Sequence, residues 1–254
     1  MALDIFDLTG KVALVTGGSK GLGKAMARGF AQAGADIVIA SRHENELRPA
    51  LEEILQGTGR RGSYIAADMS RRDDVNRLAR TALEQMGRVD ILVNNAGTNT
   101  PQPIDQIKDE DWDRVREINF DSVMLLTRAL VPQMKARGWG RIIHISSVMA
   151  LVANAGRNIY CATKAALVAM ARASALDLGG SGITVNCIAP GPFLTDLPGK
   201  LLSAEEKATF ARTTALNRWA DPEELVGPVL LLASEAGSYI TGETLVVDGG
   251  YVIR

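Results

Sequence analysis

The chain has 254 residues, 46% of them hydrophobic and 22% charged, with a net charge of −1. That composition provides for a substantial core and argues against disorder, and the near-neutral balance argues against a nucleic-acid footprint or a membrane-surface patch. Two cysteines and two histidines in no ligand-like spacing argue against a metal centre.

In chain order, residues 1–10 read as a lead-in, and their acidic start, Met1-Ala2-Leu3-Asp4, does not resemble a signal peptide. No apolar run is long enough to span a bilayer, so a cytoplasmic protein is expected, with no membrane and no nucleic-acid partner. Residues 11–16 form a short apolar run of the buried-strand kind. A glycine-rich loop, residues 17–23, opens a helix that closes at Gly34. Residues 36–40 form a second buried strand, which completes a βαβ unit. The alternation continues: a helix over 44–56, a strand over 63–67, a helix over 73–86 stopped by Gly87, and a strand over 89–93. A long helix is expected over 111–137, broken near Pro132 or ended by Gly138. A strand over 141–145, a helix to Leu178 and a strand over 183–188 follow. Residues 190–216 are less regular, and about 192–215 reads as a lid with Pro198 and Gly199 inside it. Asp221 caps a last helix with Pro222 at its first position, where Pro228 implies a kink or a late start. A strand over 244–247 completes the pattern. The expected fold is α/β: one doubly wound parallel sheet over residues 1–254, flanked by helices on both faces.

In such a sheet, ligands sit beyond the carboxyl ends of the strands. The glycine loop, Asp68, Asn95, Ser147 and Pro190 all share that address. The glycine loop places backbone amides and a helix start where a pyrophosphate can bind. Tyr160 and Lys164 lie one turn apart on a helix, so the ammonium is expected to lower the tyrosine pKa. Such a phenol can exchange a proton with a substrate oxygen that Ser147 holds. Taken alone, the Tyr-x-x-x-Lys spacing is common and better explained by a surface pair on an amphipathic helix.

Five motifs in order make the resemblance specific. Thr16 to Gly23 is TGxxxGxG, Asn94-Asn95-Ala96-Gly97 is NNAG, Asn119 lies on a helix, Ser147, Tyr160 and Lys164 follow, and Pro190-Gly191 precedes Thr195. The chain resembles the short-chain dehydrogenase/reductases over essentially its whole length, including members similar to gluconate 5-dehydrogenase and 3-oxoacyl-[acyl-carrier-protein] reductase. The resemblance implies a Rossmann-like fold and an enzyme that transfers hydride between a nicotinamide and a carbinol carbon. It implies Tyr160 as general acid/base, Ser147 polarising the carbonyl, Lys164 on the nicotinamide ribose, and Asn119 holding a water. Without the resemblance, Asn119 reads as a polar residue bonding within its own helix. The cofactor would contact Gly17, Ser19, Lys20, Gly21, Leu22, Gly23, Asp68, Met69, Asn95, Ala96, Gly97, Pro190, Gly191 and Thr195, besides Tyr160 and Lys164. Asp68 serves equally as a helix cap.

Ser41 and Arg42 end the second strand, where NAD binders place an acid and NADP binders an arginine. With Lys20 in the loop, NADP(H) is expected in preference to NAD(H). Arg157 either faces a substrate carboxylate or is a solvated or subunit-contact arginine, the latter preferred. Cys161 reads as packing, His144 as a satisfied core histidine and His43 as exposed. The substrate expected is a sugar acid, polyol or small oxo compound, with a 3-oxoacyl thioester as the alternative and a non-catalytic dinucleotide sensor as the reading from another class. Family members imply a homotetramer or homodimer.

Overall fold

A computed structural model of the chain describes residues 4–195 and 203–253. The middle of the expected lid, with Pro198 and Gly199, lies outside them. Seven strands form one sheet: β1 (Val12–Thr16), β2 (Asp36–Ser41), β3 (Gly62–Ala66), β4 (Ile91–Asn94), β5 (Gly140–Ile145), β6 (Ile183–Pro190) and β7 (Thr244–Val247). Their order is β3-β2-β1-β4-β5-β6-β7, and every pairing is parallel.

Successive residues of each strand feed opposite cores, because side chains alternate across a pleat. On one face Val12, Leu14, Leu92, Ile142 and Val185 pack against helices α3 (Arg72–Met86), α5 (Ser122–Arg137) and α6 (Asn158–Leu178). On the other, Ala13, Val15, Ile91, Val93 and Ile143 pack against α1 (Gly21–Gln32), α2 (Glu44–Leu55) and α8 (Val226–Ala233). Both faces are covered, which explains why the strands read as unbroken apolar runs. The two remaining helices are α4 (Asp109–Arg116) and α7 (Ala204–Ala211); α7 lies within the expected lid segment.

Two helix expectations are refined. The long helix is not broken at Pro132, which lies inside α5. Its irregularity is a π turn, Glu117–Asp121, joining α4 to α5. Ser122 Oγ bonds back to the Ile118 carbonyl at 2.7 Å, and Gly138 ends α5 in the left-handed region at φ 64°. The last helix takes the late start: residues Pro222–Leu225 form a 3-10 turn and Pro228 falls in the first turn of α8, where its missing N–H is tolerated. Glu224 accepts from the Asp221 N–H at 2.9 Å.

The sequence showed no membrane-spanning run, yet Asn158–Ser181 is long and apolar enough to cross a bilayer. The helix packs along β6 and buries Ile159, Leu167, Val168, Ala171, Ala175 and Leu178 in this core.

Candidate active site

The crossover order changes direction between β1 and β4, and their carboxyl ends open the crevice where doubly wound sheets bind ligands. The chain leaves β1 through Gly17 and leaves β4 through Asn95. One side chain ties these exits together: Asn95 Nδ2 donates to the Thr16 carbonyl at 2.8 Å and the Gly17 carbonyl at 3.3 Å. Thr16 Oγ1 in return accepts from the N–H groups of Asn95 and Ala96, both at 3.0 Å. The loop is too tight for a side chain. A Cβ on Gly23 would lie 2.2 Å from the Gly17 carbonyl oxygen, and Gly17 itself adopts φ +65°. The result is a cradle of backbone at the N-terminus of α1, of the kind that accepts a pyrophosphate.

Asn119, Ser147, Tyr160 and Lys164 converge beside it from three elements. Ser147 follows β5, and its Oγ accepts from the Met149 N–H at 3.1 Å. Tyr160 and Lys164 occupy the first two turns of α6. Ser147 is among the groups that act on the Tyr160 phenol. Lys164 Nζ donates to the Ile145 carbonyl at 2.7 Å and lies 5.7 Å from the centre of the Tyr160 ring. Asn119 does not bond within its helix. From the π turn its amide clasps the Thr98 backbone, accepting from the N–H at 2.8 Å and donating to the carbonyl at 2.9 Å. It also donates to Thr163 Oγ1 at 3.2 Å, and Thr163 Oγ1 donates to the Tyr160 carbonyl at 3.1 Å. The exit of β4 and the start of α6 are thereby linked through one fully buried asparagine. Gly97 faces this group: a Cβ there would stand 3.4 Å from Lys164 Nζ and 3.5 Å from Asn119 Oδ1.

The electrostatics differ from the sequence expectation. The Tyr160 phenol is raised above its ordinary value of 10.0, because burial outweighs the lowering by Ser147 and by the Arg157 charge. Burial also pushes Lys164 down to about 8. The lysine directs its proton to Ile145 rather than to the phenol oxygen, so one helical turn of separation does not make the phenol acidic here. His144 on β5 is fully buried, and burial followed by the Lys164 charge lowers it to about 4. It was expected to be satisfied and is only half so: Nδ1 pairs with Asn94 Nδ2 at 3.1 Å, while Nε2 has no partner.

The remaining expected residues line the rim. Ser41 Oγ, at the end of β2, is buried without a partner, and Arg42 and His43 beyond it are exposed. Lys20 is paired with Glu46 at 2.6 Å. Ser19 is partly buried in the glycine loop, and Leu22 packs on the core beneath it. Asp68 Oδ1 accepts from the N–H and hydroxyl of Ser70 at 2.9 and 2.8 Å; it braces the turn before α3, whose cap position is Arg71. Met69 is buried in the core, and Ala96 packs against the same cluster. Pro190 ends β6, and Gly191 approaches Asp248 so closely that a Cβ would meet its Cα at 2.6 Å. Thr195 closes on the glycine loop: a Cβ on Gly21 would meet Thr195 Cγ2 at 3.2 Å. Cys161 is a free, partly buried thiol. The residues present fit a dinucleotide: a backbone cradle, an unpartnered buried hydroxyl at the end of β2, and cations beside it.

The family model described as "Enoyl-(Acyl carrier protein) reductase" matches residues 17–252. The chain belongs to the short-chain dehydrogenase/reductase family. Among its relatives, gluconate 5-dehydrogenase of Gluconobacter oxydans is 35% identical over 251 residues, covering 98% of each chain. A 3-oxoacyl-[acyl-carrier-protein] reductase of Thermotoga maritima is also 35% identical, covering 97% of this chain and 99% of the relative. The crystal structure of a gluconate 5-dehydrogenase from Burkholderia cenocepacia in complex with NADP and tartrate superposes with a TM-score of 0.93 at 35% identity, over 100% of both chains. As a member of the short-chain dehydrogenase/reductase family, the chain is an oxidoreductase.

Thr98 gave no signal in the sequence reading, and Thr163, Ser146 and Asn99 were given no individual role in it. Thr98 and Thr163 anchor Asn119, and Ser146 Oγ donates to the Lys164 carbonyl at 2.8 Å. Asn99 Oδ1 is buried with no partner. None of these has a period or spacing of its own. Thr16, inside the glycine motif, Ser146, beside Ser147, and Thr163, between Tyr160 and Lys164, lie within or next to stretches already singled out.

Proposed function

We propose that this chain is an NADP(H)-dependent oxidoreductase that interconverts a secondary alcohol and a ketone, on a sugar acid, polyol or small oxo compound. The observation that carries this reading is the convergence of Ser147, Tyr160, Lys164 and Asn119 beside the backbone cradle between β1 and β4. When bound, the nicotinamide supplies or accepts the hydride. Tyr160 donates a proton to the carbonyl oxygen in reduction and takes it back in oxidation, and Ser147 holds that oxygen in line. Lys164 fixes the nicotinamide ribose. Asn119 holds the Thr98 backbone and the start of α6 in register, and it holds a water that links Lys164 to solvent. Gly17, Ser19, Gly21, Leu22 and Gly23 receive the pyrophosphate, with Asn95, Ala96, Gly97, Pro190, Gly191 and Thr195 along the middle of the cofactor. Asp68 and Met69 border the adenine.

The preference for NADP(H) rests on Ser41, Arg42 and Lys20, since no acid ends β2. NADP in the similar gluconate 5-dehydrogenase supports it. The working form is a homotetramer or homodimer in the cytoplasm, and the chain is one oxidoreductase domain with its lid at about 192–215. A 3-oxoacyl thioester is the second substrate reading, supported by the similar Thermotoga reductase. A panel of gluconate, 5-ketogluconate and acetoacetyl thioesters, followed by absorbance of the reduced nicotinamide, separates the two. Tyr160→Phe lowers turnover by about two to four decades while cofactor binding persists; an unchanged rate refutes the assignment.

A further inference from the structure

Arg157, whose charge reaches the Tyr160 phenol, and Asn99, on the loop after β4, are left without the partners their chemistry demands. Arg157 occupies the cap position of α6, three residues before Tyr160. Its backbone is fixed by a parallel bridge to Gln102, the Gln102 N–H bonding the Gly156 carbonyl at 2.9 Å. Asn158 Nδ2 adds a bond to the Gln102 carbonyl at 3.4 Å. These contacts pin the loop after β4 to the turn before α6. The nearby acid Asp111 is engaged by Gln102 Nε2 at 2.7 Å, and among the described residues no carboxylate forms an ion pair with Arg157. Arg157 as a residue is partly exposed, and its charge reaches the Tyr160 phenol. On the same loop, one residue past the Thr98 that Asn119 clasps, Asn99 Oδ1 is buried and unpartnered. A buried amide oxygen without a partner is costly.

We infer that Arg157 and Asn99 form a recognition pair for a hydroxy acid: Arg157 takes the carboxylate, Asn99 takes a hydroxyl, and the reacting carbinol lies between them at Ser147 and Tyr160. A hydroxyl satisfies the Asn99 amide in either orientation, since it both donates and accepts. A planar guanidinium grips a carboxylate through two parallel hydrogen bonds. An apolar acyl chain laid over the same two groups would leave both unpaired, so the pair selects against simple 3-oxoacyl chains. The inference rests on the proposed alcohol–ketone reaction and names its substrate class.

The test is calorimetric binding of tartrate and of succinate, which has the same two carboxylates and no hydroxyls, to the NADP-saturated protein. Wild type binds tartrate more tightly than succinate. Arg157→Gln weakens both by about tenfold or more, as for a lost charge-assisted pair, and Arg157→Lys recovers part of the loss, which a merely unfolded variant does not. Asn99→Leu abolishes the preference for tartrate over succinate. In turnover, the ratio of KM for gluconate to KM for the neutral polyol glucitol rises in Arg157→Gln. Wild-type tartrate affinity in Arg157→Gln, an undiminished tartrate preference in Asn99→Leu, or no binding of either diacid to wild type at millimolar concentration overturns the inference. Tartrate binding that follows this pattern in a protein with no turnover on any alcohol or ketone overturns the proposed reaction and leaves the anion site standing.

Discussion

The Lys164 ammonium lies 5.7 Å from the centre of the Tyr160 ring and gives its hydrogen bond to the Ile145 carbonyl, at 2.7 Å. The two groups are neighbours without being a bonded pair. Each is shifted mainly by its own burial, Tyr160 upward and Lys164 downward.

The lysine therefore titrates close to working pH. Its folded value is about 8 against an ordinary 10.5. Between these values the unfolded chain holds a proton that the folded chain has lost, so on this account stability rises with pH across that window, and below it the charged lysine is held at a cost. In a carbon NMR titration of labelled lysine Cε, one lysine has a midpoint near 8 and it disappears in Lys164→Met. A midpoint near 10.5 for every lysine contradicts the burial.

His144 makes the fold sensitive to acid. Burial lowers it from 6.5 to about 4; between those values the unfolded chain binds the extra proton, so stability falls as pH drops from 6.5 towards 4. A shift of that size corresponds to about 2–3 kcal/mol lost by pH 4.5. Urea unfolding at pH 7 and pH 4.5 measures it, with His144→Asn losing correspondingly less over the same interval. Equal losses in both proteins exclude His144 as the cause.

Arg42 decides between the two dinucleotides. It is exposed at the end of β2, where a 2′-phosphate can be held bidentately. Arg42→Asp reverses the order of the NADP and NAD dissociation constants, with NADP weakened by about tenfold or more. Retained NADP affinity in Arg42→Asp, or a wild-type preference for NAD, removes the assignment.

Gly23 tests the cradle. The Cβ of Gly23→Ala would stand 2.2 Å from the Gly17 carbonyl oxygen and 2.6 Å from Asn95 Nδ2, and the backbone must move to admit it. Such overpacking costs about 1–3 kcal/mol. Thermal unfolding reports the loss, and cofactor affinity falls with it. A variant as stable as wild type with unchanged cofactor affinity means the loop is not constrained as described.

The alternation of apolar runs with helical segments was enough to specify a parallel sheet covered on both faces, because strands buried on two sides must be apolar at every position. The glycine loop, Asn95 and Ser147 were legible as positions just past strand ends, and Tyr160 and Lys164 as a pair one helical turn apart, while the roles assigned to them came from the family resemblance. What spacing cannot carry is burial. It decided that the lysine sits low, the tyrosine sits high and His144 is half-satisfied, because desolvation depends on which atoms surround a group and not on its neighbours in the chain. Tertiary structure also decided the role of Asn119: a π turn turns its amide outward to Thr98 and Thr163, residues 21 and 44 positions away, and no local period encodes a contact made across that distance.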